Sequence, residues 1–340
     1  LKIIGLTGAG EHRFGSSLCL LRALRQIGHD VFIVGASYSG DSERDKKNVD
    51  LLIADRPYPH FYDYKEIIGL APWTPDVMFA LDPRGAFRGE KPKDVLTCFY
   101  GPDPHRAGAF YMSLIQEGQY DMVFIGQGAY KPFFVKCAPL VEVVWQAIDP
   151  ERFPEEVTIE PDCDISFVGH TGIGTTKEIL SGQRYSGQPP SYDYAERAEF
   201  LLRLKSDFSV KIYDHVWETP QFSLAIQRGK LGFNRSVLHD IPLRVFEVMA
   251  AGRPIVTDWS TGAFPYYMQG ADSIFIYPSF YRPFYENFNV EYGFVKQLIS
   301  RILDNPKRKE WGRVARDQVL TDHTWKNRAE QVALCLERGI

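Results

Sequence analysis

Cysteine is scarce in this 340-residue sequence: Cys19, Cys98, Cys137, Cys163 and Cys335 are odd in number and widely spread. No Cys-x-x-Cys pair occurs, so neither a disulfide framework nor a clustered zinc site is supported, and no metal site is expected. A reducing cytoplasm is the simplest setting. A surplus of positive charge is missing too. Lys and Arg number 39 against 43 Asp and Glu, a formal charge of −4, which leaves no broad basic surface for nucleic acid. No run approaches the roughly 18 uncharged apolar residues that span a bilayer. The sequence opens on the strand-like LKIIGLTG without a signal-peptide pattern, which adds to the expectation of a cytoplasmic protein.

A dinucleotide fingerprint is also lacking. In GLTGAGEHRFGSS (5–17), Gly8, Gly10 and Gly15 do not make G-x-G-x-x-G. The second strand-like run ends in Gly35-Ala36-Ser37, with no carboxylate for a ribose. A NAD-dependent oxidoreductase is therefore the distant alternative. Gly8 and Gly10 still suit close approach of backbone to a ligand ahead of a helix N-terminus, which favours an anion. Glu11, His12 and Arg13 crowd the same turn. His12 fits a general base or a sugar contact, and equally an exposed polar loop.

What is present is alternation. Short apolar runs at 2–7, 31–35, 49–54, 75–81, 94–100, 120–126 and 141–145 are separated by helical stretches such as 16–29. That pattern predicts a parallel sheet covered on both faces. A Pro- and acid-rich stretch, 146–164, then reads as a linker. Alternation restarts with strands at 165–170, 210–214, 230–234, 254–258 and 273–277, and helices near 194–206, 219–227, 241–251, 290–304, 306–320 and 325–338. The expected fold is α/β: two doubly wound Rossmann-like domains, 1–150 and 151–324, facing a cleft. The last helix is expected to pack back on the first domain. Open α/β sheets bind ligands at the carboxyl ends of their strands.

Two stretches place charge at such ends. FYGPDPHRAGAF (99–110) puts Asp103, His105 and Arg106 after a strand in a Pro-stiffened loop, where Asp103 either serves a site or caps the next helix. HDIPLRVFEVMAAGRPIVTD (239–258) reads as a helix capped by Asp240, with Pro242 in its first turn. Arg244 and Glu247 stand at i and i+3; as an exposed pair they contribute only a few tenths of a kcal/mol. A buried, unpartnered glutamate costs far more. Vicinal ribose hydroxyls bonded to Glu247 resolve that cost, while Arg244 and the helix N-terminus suit a diphosphate. The alternative is a surface ion pair.

The segment KLGFNRSVLHDIPLRVFEVMAAGRPIVTD resembles the donor-binding segment of GT-B glycosyltransferases, nearest the CgeB-like (spore maturation protein-like) branch. DHTWKNRAEQV (322–332), ISFVGH, DMVFIGQGA and VVWQAIDPERF fit the same pattern. The resemblance implies that Glu247 contacts the donor ribose. His239 stands where related retaining enzymes often carry a second glutamate, near the donor sugar. Lys230 and Arg235, flanking the preceding strand, are candidate diphosphate contacts or solvated surface. His323 and Arg328 are expected to secure the final helix. The implied activity is transfer of a sugar from a nucleoside diphosphate donor, UDP ahead of other bases, to a small-molecule or glycan acceptor, without a metal or separate cofactor. His12, Asp103 and His105 are the expected catalytic or acceptor-side groups. A sugar-nucleotide epimerase on the same fold and a non-catalytic nucleotide-sugar-binding protein are the alternatives. The aromatic tracts 58–64 and 277–294 suit packing between layers, with sugar stacking or peripheral membrane contact as other uses.

Overall fold

The apolar runs of the first half become strands of one parallel sheet. A computed structural model describes residues 1–8, 15–36, 46–53, 61–81, 85–153, 159–169, 192–213, 221–236, 241–259, 274–277 and 288–339. The side chains of 105, 106 and 192–196 are outside that description. The chain divides into two compact units, Leu1–Asp149 with Thr324–Ile340, and Pro150–His323.

In the first unit the strands are β1 (Lys2–Gly8), β2 (Asp30–Ala36), β3 (Leu51–Ile53), β4 (Phe61–Asp63), β5 (Val77–Leu81), β6 (Ala86–Arg88), β7 (Leu96–Gly101), β8 (Met122–Ile125) and β9 (Leu140–Val143). Seven of them form a sheet in the order β3-β2-β1-β5-β7-β8-β9, the doubly wound order that reverses between β1 and β5. Helices α1 (Ser16–Gln26), α2 (Tyr64–Leu70), α3 (Pro104–Gly118) and α4 (Lys131–Phe134) belong to this unit. So does the helix Trp325–Gly339, α10 in chain order, whose Trp325, Val332 and Leu336 share a buried core with Leu18, Leu21 and Leu24 of α1. Each such side chain contributes about 1.5–3 kcal/mol by leaving water. Arg328 fastens the helix by donating from Nε to the Trp145 carbonyl at 3.1 Å.

The two-stranded sheet β4-β6 is not expected from sequence, because three-residue strands carry too little alternation to read. Its register places Tyr62, together with Tyr64 at the start of α2, in the core. Tyr64 Oη donates to the Gly118 carbonyl at 2.6 Å. These tyrosines of the first aromatic tract are therefore packing residues. In the second tract, Tyr277 and Tyr292 are buried in a cluster with Phe200 and Phe233, and residues 278–287 lie outside the described residues.

The second unit contains β10 (Cys163–Val168), α5 (Tyr192–Asp207), β11 (Val210–Tyr213), α6 (Gln221–Gln227), β12 (Gly229–Asn234), α7 (Leu243–Ala250), β13 (Ile255–Asp258), β14 (Ile274–Tyr277), α8 (Phe288–Leu303) and α9 (Arg308–Asp322). Its parallel sheet runs β11-β10-β12-β13-β14, so the winding reverses between β10 and β12. His323 closes the unit with its ring 5.1 Å from that of Phe246 on α7. Among the described residues no helix is long and apolar enough to cross a membrane.

One helix boundary differs from expectation. Pro242 occupies the N-cap position of α7 (φ −74°, ψ 154°) rather than its first turn, and no side-chain cap bond is made. The extended ψ at Pro242 delays the first helical residue to Leu243. Asp240, the expected cap, lies outside the described residues.

Candidate functional site

The crevice at the carboxyl ends of β10 and β12 is where a sheet of this order binds ligands. Arg244, on the first turn of α7, occupies it. Its Nε donates to the Val168 carbonyl at the end of β10 (2.8 Å) and its Nη1 to Asn234 Oδ1 at the end of β12 (2.9 Å). The guanidinium lies over the Phe167 ring, 4.3 Å from its centroid. Gly169 makes this possible. Its φ of +131° suits glycine, and a Cβ there would stand 2.3 Å from Arg244 Nη2.

Asn234 is fully buried and continues the network to β13, donating from Nδ2 to Thr257 Oγ1 at 3.0 Å. Asp258 Oδ1 accepts from both the backbone N and Oγ of Ser236, each at 2.8 Å. The ends of three adjacent strands are thus tied together beneath Arg244 by satisfied polar groups, the condition under which buried networks rigidify a site.

Glu247, one turn along α7, is 8% exposed. Its partner is not Arg244, as i, i+3 spacing suggests, but Arg152, whose Nη1 donates to Glu247 Oε1 at 2.7 Å. Arg152 comes from the 3₁₀ turn Pro150–Arg152 and also stacks on Phe222 at 3.6 Å. Burial raises the carboxyl pKa of Glu247, and Arg152 and then Arg244 offset that rise only in part. A buried carboxylate aligned by one arginine, with another in its field, has the acceptor capacity that a pair of vicinal hydroxyls requires.

Two expected diphosphate contacts are corrected. Lys230 stands at the amino end of β12, remote from the crevice, and is paired with Asp164 at 2.8 Å. In a parallel sheet only the opposite, carboxyl ends converge on the ligand crevice. Arg235 is at the carboxyl end, but its buried guanidinium turns inward to Glu291 of α8 and lies 5.0 Å over the Phe200 ring. His239 lies outside the described residues.

In the first unit, Gly8 ends β1 beside the reversal point of that sheet, and Asp103 follows β7. Asp103 makes no cap bond to α3; its Oδ1 instead accepts from Gln146 Nε2 at 3.1 Å. The Pro102–Asp103 turn packs against Gly126 at the end of β8, where a Cβ would meet the Pro102 carbonyl at 2.0 Å. His105 falls in the first turn of α3, but its side chain is not described, and Gly10 and His12 lie outside the described residues. Among the described residues no group of three or more His, Cys, Asp or Glu is arranged to hold a metal ion.

Both sheets and the crevice belong to a known architecture. Over 99% of this chain and 99% of the other, the structure superposes on a sucrose-phosphate synthase from Thermosynechococcus elongatus with a TM-score of 0.63 at 11% identity. The fold is that of the GT-B glycosyltransferases. HepE of Anabaena, determined in complex with UDP and glucose, matches over 99% of both chains (TM-score 0.60, 14% identity). The catalytic domain of starch synthase IV from Arabidopsis thaliana, bound to ADP and acarbose, matches 100% of this chain and 99% of its own (TM-score 0.59, 11% identity). Residues 197–333, which include the segment 230–258, match the family described as Glycosyl transferase-like. No curated relative matches.

Sequence reasoning missed Arg152. Its local run, Asp-Pro-Glu-Arg-Phe, carries no sign of a partner 95 residues away.

Proposed function

We propose that this protein is a glycosyltransferase that takes its sugar from a nucleoside diphosphate donor held by the second unit. The observation that carries the proposal is the placement of Arg244 at the β10–β12 reversal point, with Glu247 one turn behind it on the same helix. Glu247 accepts from the ribose hydroxyls and Arg152 fixes its orientation. Arg244 and the amide end of α7 receive the diphosphate, by charge-assisted bonds and the helix dipole. The same groups carry the charge that develops on the leaving diphosphate, so the reaction proceeds without a metal.

UDP is the preferred nucleotide in this reading, which the UDP complexes of the similarly folded HepE support. The acceptor, a small molecule or glycan, is assigned to the first unit, near His12, Asp103 and His105. The CgeB-like branch of the fold is the nearest resemblance of the donor segment.

The test is a thermal-shift panel of nucleoside diphosphates and their sugars. A ligand present at about 100 times its Kd stabilises by roughly 2.7 kcal/mol. Stabilisation by UDP or a UDP-sugar is expected; no shift with any member defeats the reading. Product analysis with and without acceptors then separates transfer from epimerisation, which releases product with no acceptor present.

A further inference from the structure

We propose that the amino-terminal end of the second sheet carries an oxyanion site, built by Arg253 and Arg308, that binds a phosphate-type group. The site lies opposite the donor crevice, across the length of strands such as six-residue β12, roughly 20 Å at 3.3 Å per residue.

A cavity of about 110 Å³ opens there, lined by Arg253, Arg308, Lys309, Lys230 and Glu160 together with Gly252 and two prolines. That is room for three or four water-sized groups, enough for a tetrahedral oxyanion and too little for a nucleotide or a sugar. Among the described residues the charges around it do not balance. Lys230 is held by Asp164, and Lys309 by Glu160 at 3.1 Å. Among the described residues Arg253 and Arg308 hydrogen-bond through their side chains only to carbonyls. Arg253 donates to the Gln227 and Ile159 carbonyls, and Arg308 to the Leu303 carbonyl.

Arg253 is 8% exposed, yet among the described residues no carboxylate bonds to it. Burial pushes its pKa down to about 10; Glu160 pulls the other way, and the charge of Arg308 deepens the fall. The guanidinium remains protonated at neutral pH. Two like charges therefore face one small polar cavity, one of them nearly removed from water, an arrangement that is costly unless an anion joins it. Arg308 and Lys309 also open the fifteen-residue helix α9, whose dipole favours negative charge at that end. An oxyanion with charge-assisted bonds to both guanidinium groups satisfies all of these features at once.

The ligand is either free inorganic phosphate or the phosphoryl group of a larger metabolite. The experiment titrates the protein with inorganic phosphate and with a hexose 6-phosphate, by calorimetry, in wild type, Arg308→Ala, Arg308→Glu and Arg244→Ala. Saturable binding is expected in wild type. It weakens about tenfold in Arg308→Ala and further in Arg308→Glu, and stays within about twofold in Arg244→Ala. Melting curves establish that each variant is folded. Preference for the free ion or for the monoester identifies the source. Absence of saturable binding below roughly 20 mM, or binding lost in Arg244→Ala and kept in Arg308→Glu, overturns the proposal.

Discussion

Arg152 and Glu247 are 95 residues apart in sequence and 2.7 Å apart in space, one from the turn Pro150–Arg152 and one from α7. Their side chains are 6% and 10% exposed, so the pair is desolvated and each member depends on the other. Replacing Arg152 by Met strands the carboxylate, a loss of about 3–5 kcal/mol, to be read as a lower urea midpoint for the second unit. Glu247→Gln in the same background is expected to restore most of it. A double variant no more stable than Arg152→Met alone contradicts the pairing.

Glu247 also sets a pH dependence. Because its pKa is raised in the folded state, the native protein binds more protons than the unfolded chain between the ordinary carboxylate value of 4.5 and the raised one. Stability therefore falls as pH rises through that window. In the proposed site the ribose hydroxyls donate to the ionised carboxylate, so nucleoside binding runs the other way. Affinity for a nucleoside is expected to rise across the same window in wild type and to stay flat in Glu247→Gln, as measured by calorimetry.

Gly169 and Arg244 act as one unit. Gly169→Ala places a Cβ at φ +131° and within 2.3 Å of the guanidinium, costing about 1–3 kcal/mol in backbone strain alone. It is expected to weaken donor binding roughly as much as Arg244→Lys, about tenfold, since each disturbs the forked contact. Donor affinity unchanged in both variants removes Arg244 from the site.

Lys230 serves as a control. Its bond to Asp164 is partly exposed, 39% and 23% for the two side chains, so Lys230→Ala changes stability by less than about 1 kcal/mol. Donor affinity is expected to be unaltered, which equilibrium binding measures.

Transfer is expected to survive excess EDTA if, as proposed, the leaving diphosphate is met by Arg244 and the start of α7. Loss of turnover on chelation, restored by a divalent cation, contradicts that assignment.

The strands of the two larger sheets were legible because buried parallel strands are short apolar runs set apart by helices, and that signal is local. LKIIGLTG and VFIVG already announce β1 and β2. The direction of a site within such a sheet is less visible. Lys230 and Arg235 look equivalent as flanks of one strand, yet one stands at the wrong end and the other is claimed by Glu291 from α8. Long-range partners such as Arg152 for Glu247 leave no periodic trace. The i, i+3 rule instead pointed to the near arginine, which turns to Val168 and Asn234. The tyrosines at 62 and 64 likewise needed the β4–β6 register to show that they are packing residues.

The return of the chain at Thr324 fixes an order of events during synthesis. Leu18, Leu21 and Leu24 of α1 are covered by Trp325, Val332 and Leu336, which leave the ribosome some 300 residues after them. The first unit therefore waits, with part of its apolar face open, while the second unit, Pro150–His323, already has all of its own residues. The half made first is the half completed last, and a nascent chain stalled before Trp325 is a natural client for a chaperone.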